Sequence, residues 1–155
     1  MNEYAIVKTI HVISSTLLFG TGIGSAFYML FASLSRDARV AFFVVRCVVI
    51  ADWLFTATAV VVQPVSGLWL AHLAHFSLRS TWIAASIALY LVAGACWLPV
   101  VWMQLRMREM ARTAAAASTP LPARYWAFFR AWVALGIPAF LALAAVFYLM
   151  VAKPA

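Results

Sequence analysis

Three histidines, His11, His72 and His75, are the side chains in this sequence best suited to bind a metal. One carboxylate, Asp52, stands inside an apolar run, where a charge is costly. His11 belongs to a regular series: Lys8, His11, Ser15, Gly22 and Ser25 follow three- and four-residue steps with Leu18 between them, so they share one helix face. A second series, Asp52, Thr56, Gln63 and Ser66, does the same with Ala59 filling the step. A third, Ser86, Tyr90, Trp97 and Gln104, is less regular. Neutral imidazole is the usual axial ligand of haem iron, and helical bundles commonly hold haem between facing helices. The expected chemistry is therefore a haem b site with His11 as an axial ligand and His72 as the candidate second metal ligand. Gln63 is an alternative neighbour, Gly22 would admit the flat ring, and Lys8 or Arg79 would neutralise a propionate. A zinc site needs three or four converging ligands, and three histidines without nearby acids do not supply them. The competing explanation is structural. His11 would be a packing residue bonded to Gln63 or Ser14, and His72 and His75 would be solvated loop residues.

The elements that must position these residues follow from composition. Of 155 residues, 67% are hydrophobic and 10% are charged, against about 45–50% and about 25% in a soluble domain. This excludes an ordinary cytosolic domain and a disordered chain. Cys47 and Cys96 are too few for a disulfide framework. A membrane-spanning helix needs about 20 mostly apolar residues, and four segments qualify: residues 4–34, 40–71, 81–105 and 125–151. The expectation is an all-α, antiparallel bundle of four transmembrane helices forming a single integral membrane domain over residues 1–155. The stretch Arg106 to Arg124, with Ala114–Ala117, Pro120 and Pro122, reads as a linker. The first segment reads as a retained helix rather than a cleaved signal peptide, because it lacks a basic start and its apolar run is too long.

Lys and Arg are distributed unevenly. One side holds Arg36, Arg39, Arg46, Arg106, Arg108, Arg112, Arg124 and Arg130; the other holds Lys8, Arg79 and Lys153. The positive-inside rule places both termini on the non-cytoplasmic side of a bacterial inner (cytoplasmic) membrane, in a multi-pass arrangement. The net charge of +7 is then an orientation signal, and nucleic-acid binding is excluded because the arginines are scattered along membrane edges. Tyr4, Trp69, Trp82 and Tyr148 fall near the outer interface, and Trp102, Tyr125 and Trp126 near the inner one.

Asp52 and Arg130 lie at similar depth, roughly 10 Å from the same end. An unpaired charge there costs about 2.5–3.5 kcal/mol, so a structural ion pair between Asp52 and Arg130, or failing that Arg46, is expected. Gly20-Thr21-Gly22-Ile23-Gly24 sits in mid-span rather than between a strand and a helix, so it is a small-residue packing face and not a nucleotide loop. Pro64, Pro99 and Pro138 each remove a backbone donor within a span and predict kinks.

The run Val7-Lys8-Thr9-Ile10-His11-Val12 resembles the first helix of the membrane protoporphyrinogen oxidases of the four-helix, haem-b type and, more distantly, that of the copper-resistance D family. The resemblance implies that His11 is the haem ligand and Lys8 the basic residue beside it. Gly24–Tyr28 departs from the oxidase pattern, which has a bulky basic segment there. Over almost the whole chain, Lys8-Thr9-Ile10-His11, Leu18–Gly22, Ala51–Phe55, Gln63–Trp69 and Trp97–Trp102 resemble the hallmarks of a bacterial family of four-helix integral membrane proteins without assigned activity. The resulting expectation is a haem-b electron-transfer protein, with an oxidoreductase activity implied by the oxidase resemblance and quinone or another redox component as partner. The alternatives are a non-catalytic accessory subunit, in a homo-oligomer or larger complex, and a small-solute or proton transporter. The latter is disfavoured because four helices without an inverted repeat leave little room for alternating access. Arg106, Arg108 and Arg112 would meet anionic lipid headgroups of the bilayer.

Overall fold

The structure is a computed structural model describing residues 2–154. Four long helices account for it: α1 (Glu3–Leu34), α2 (Ala38–Leu73), α3 (Thr81–Ala117) and α4 (Ala123–Ala152). All four are long and apolar enough to cross a membrane. Short caps set their limits. The Asp37 carboxylate accepts from the Arg39 and Val40 amides at 2.7 and 3.3 Å, opening α2 three residues after α1 ends. At the far ends of α2 and α3, His75 and Ser118 take positive φ, and the next amides reach back to Ala71 and Ala114. This is the Schellman closure usually given to glycine. The structure thus makes His75 an exposed helix-end residue.

One boundary and the burial of one aromatic residue differ from expectation. The stretch read as a linker is helical to Ala117, so only residues 118–122 join α3 to α4. Good helix formers, Ala114–Ala117 and the arginines, outweigh the loss of hydropathy there. Tyr125, expected at an interface, is wholly buried and shares a hydrogen bond with the equally buried Ser33, 2.8 Å away. The helices run on through Pro64, Pro99 and Pro138.

Inside α2, Asp52–Thr56 form a π-turn, the widened turn produced by one extra residue. Before it, α2 packs chiefly on α3; after it, α2 packs on α1. The widened turn rotates the downstream face by roughly one residue's angle, about 100°. A single stripe in the sequence therefore meets two different neighbours. The contiguous core lies at the end of the bundle holding the α1–α2 and α3–α4 turns, and includes Met29, Val45, Met103, Met107, Tyr125 and Trp132. Toward the termini the packing is sparser: Phe19 of α1 stacks on Phe140 and meets Phe147 of α4, with ring centroids 5.1 and 5.2 Å apart.

Pro64 lacks the amide that would bond the Val60 carbonyl. Tyr90 of α3 fills the vacancy, its hydroxyl donating to that oxygen at 2.8 Å. Replacing Tyr90 by Phe should therefore cost about 1 kcal/mol of stability in detergent. In a Pro64→Ala background, where the helix bonds Val60 itself, the same replacement should cost much less. A double-mutant cycle from thermal unfolding measures the difference.

Candidate functional site

His11 projects from α1 onto the second half of α2, and three residues of one turn of α2 receive it. Its Nδ1 lies 2.8 Å from Ser66 Oγ. Ser66 Oγ donates its own proton to the Val62 carbonyl at 2.6 Å. A hydroxyl has a single proton, so in the His11–Ser66 bond the donor is His11 Nδ1–H. The neutral ring then carries its lone pair on Nε2. Gln63 Nε2 donates to the His11 carbonyl at 2.8 Å, fixing the backbone that bears the ring. Gly67 supplies space: a Cβ there would stand 3.2 Å from His11 Cε1. The close-approach glycine is thus Gly67, whereas added Cβ atoms at Gly20, Gly22 and Gly24 would meet nothing within 4 Å.

The predicted stripes hold unequally. On α2, Asp52, Thr56, Ala59, Gln63 and Ser66 are all buried. On α1 the buried positions are Val7, Ser14, Leu18 and Met29, so the inward face is displaced by about one residue from the predicted one. Lys8 and Gly22 are consequently exposed flanks. The Lys8 ammonium stands over the Tyr4 ring, 5.7 Å from its centroid, as suits an amphipathic side chain at an interface. His72 is exposed and lies six residues beyond Ser66, about 120° away around the helix. The structure does not bring it to His11, and among the described residues no three His, Cys, Asp or Glu gather as a metal site. Ser14, the other suggested partner of His11, keeps an unpartnered hydroxyl.

The expected Asp52–Arg130 ion pair is not formed. Among the described residues the one ion pair is Arg112–Glu109, on the exposed end of α3. Arg130 is exposed and lines an open cleft with Arg36, Trp126, Pro120 and Leu121. Arg46 is exposed as well. The face of α4 bearing Arg130 turns outward. Asp52 instead receives the Thr56 hydroxyl on Oδ1 at 2.8 Å and has Gln104 of α3 beside it.

Sequence reasoning singled out His11 and Gln63 but gave no role to Ser66, Gly67 or Gln104. Ser66 and Gly67 were detectable as the next residues of the turn that begins at Gln63. Gln104 was not, because its neighbour depends on how α2 turns toward α3.

Four apolar helices around sparse, internally bonded polar groups define a helical integral membrane protein. The profile of a family described as a predicted integral membrane protein family, DUF2269, matches residues 5–154, and the chain belongs to that family. No curated protein and no solved structure matches it.

Two outcomes check this geometry by thermal unfolding in detergent. Gly67→Ala should lower stability by about 1–3 kcal/mol through crowding of the His11 ring, and the loss should shrink in a His11→Ala background. Arg130→Gln should change stability by no more than about 0.5 kcal/mol, the ordinary range for an exposed side chain.

Proposed function

We propose that the chain is a haem-b-binding electron-transfer protein of the bacterial inner membrane, with His11 Nε2 as an axial ligand. The supporting observation is the geometry at Ser66: its Oγ lies 2.8 Å from His11 Nδ1 and 2.6 Å from the Val62 carbonyl, which suits it to accept from Nδ1–H and leaves the Nε2 lone pair for a metal. Ligating histidines are commonly oriented by such a bond at the second ring nitrogen. The donor set suits one axial bond, and the sparsely packed half of the bundle is the half that carries His11. Haem would supply a one-electron iron couple. The chain's own residues would orient the ring through Ser66, hold its backbone through Gln63, and give it room through Gly67. Lys8, one turn toward the terminus, offers positive charge to a propionate. A quinone or a redox protein would be the electron partner. The Lys and Arg asymmetry supports a membrane orientation with the arginine-rich turns on the cytoplasmic side.

A second reading is an accessory subunit that docks on a membrane partner. It is favoured by the open glycine face at Gly20 and Gly24, spaced as in helix-packing motifs and unoccupied within the chain.

Protein purified from haem-replete cells should be coloured, with a Soret band that shifts on reduction. His11→Ala should abolish the band and His72→Ala should leave it. Ser66→Ala should weaken haem retention about 10–100-fold, the usual effect of losing the group that orients a ligand. A colourless wild-type preparation would reject the haem reading, and a stoichiometric co-purifying membrane protein would support the second.

A further inference from the structure

The arginine-rich end of the bundle contains a cleft with no part in haem binding. It lies between the α1–α2 and α3–α4 turns, has a volume of about 480 Å³, and is lined by Arg36, Pro120, Leu121, Trp126 and Arg130. Small-molecule sites commonly enclose roughly 300–1,000 Å³. The walls of this cleft are tied together. Ser33, just before Arg36, shares a wholly buried hydrogen bond with Tyr125, the sequence neighbour of Trp126. Arg39 Nη2 donates to Ser118 Oγ at 3.5 Å, linking the two turns a second time. Leu121 is part of the buried core. The packed half of the bundle thus brings two arginines from distant helices to one cleft.

The charges at this end sort into two groups. Arg106 and Arg124 lie over the Trp102 and Phe128 rings, 5.6 and 5.5 Å from their centroids. Arg112 pairs with Glu109, and Arg39 reaches Ser118. Arg36 and Arg130 have no side-chain partner among the described residues, and no acid lines their cleft. Asp37, next to Arg36 in the chain, already receives the Arg39 and Val40 amides. Two guanidinium groups therefore border a shared space with nothing negative in it. Each presents paired donors in a plane, the arrangement that matches phosphate oxygens.

Depth narrows the choice of phosphate. The Trp102 and Phe128 rings meet with centroids 5.4 Å apart, where the apolar run of α3 ends. Arg130 stands two residues further into the span, about 3 Å deeper. Side chains on a helix lean toward its N-terminus, so Arg130 reaches back toward Trp126 and the polar layer. The phosphates of a bilayer lie at this level already. Basic pockets between spanning helices are a recurrent form of headgroup site.

We propose that this cleft binds the phosphate of an anionic phospholipid, held by the Arg36 and Arg130 guanidinium groups against the Trp126 ring. The site takes its lipid from the leaflet that the α1–α2 and α3–α4 turns face. It does not depend on haem, nor on which side of the membrane those turns lie.

Native mass spectrometry tests this on the full chain, freed of its own lipid and offered equal amounts of phosphatidylglycerol and phosphatidylcholine. The wild type should retain phosphatidylglycerol in preference, at one molecule per chain, a readout that needs no variant. Arg36→Gln and Arg130→Gln should each weaken retention about 10-fold, the low end for losing a charge-assisted hydrogen bond. The double variant should lose the preference. Arg46→Gln removes the same charge from an exposed position of α2 outside the cleft, and should leave retention unchanged. Without lipid, all these variants should unfold at the wild-type midpoint, because the replaced side chains are exposed. Equal retention of both lipids by the wild type, or undiminished preference in the double variant, would overturn the proposal. So would an equal loss in Arg46→Gln, which would reduce the effect to general charge at this end, or a lowered midpoint in either cleft variant, which would make that arginine structural. Inorganic phosphate at millimolar concentration should not displace the lipid; displacement would make the occupant a free anion and reject the lipid assignment.

Discussion

Within hydrocarbon, a polar atom must find its partner inside the protein, because lipid offers none. Several of the contacts that tie these helices together are answers to that requirement. Tyr90 bonds the carbonyl that Pro64 cannot. Ser33 and Tyr125 bond each other where both are wholly buried. Ser66 accepts a hydrogen bond from the His11 imidazole and donates one to the Val62 carbonyl. Each joins elements that apolar packing alone would leave free to slide, since lipid tails compete with leucine for the same surfaces. The polar groups thus fix the register, and the close contacts, such as Gly67 against His11, fill in around them.

The helices were legible in the sequence because the membrane demands long apolar runs, and the buried stripe of α2 was legible residue by residue. What that stripe faces was not. Its spacing from Asp52 to Ser66 is continuous with an unbroken helix, so nothing in the periodicity announces the π-turn. That turn sends Asp52 toward Gln104 and Ser66 toward His11, and the ion pair inferred from depth fails for the same reason: depth follows from counting along a helix, direction from packing around it. On α1 the polar residues misled. Lys8 and Gly22 fit the spacing of His11, yet the inward positions are the apolar Val7 and Leu18 with Ser14. A lysine near a helix end can reach the interface from an outward position, so it marks depth better than face.

The two halves of the bundle differ in kind. The end with the short turns holds a continuous core of methionines, valines and aromatics. The end with the termini is held by individual contacts: Trp69 Nε1 donating to Glu3, Lys153 over Phe76, and the Phe19 cluster. His11 belongs to the second half and Asp52 to the boundary between them.

The length of α3 has a consequence for the forces that hold this core. Its 37 residues span about 55 Å, while the hydrocarbon layer is about 30 Å thick. The apolar run ends near Leu105, yet Ala111, Ala114 and Leu121 continue the buried cluster past it. That tip is a helical hairpin bathed in water, closed by the ordinary hydrophobic effect. The remainder of the same cluster is bathed in lipid, where that effect vanishes between helices and dispersion and hydrogen bonds must serve. One continuous core therefore answers to two solvents. Urea in the aqueous phase would loosen only its tip, and a change of lipid would be felt only below it.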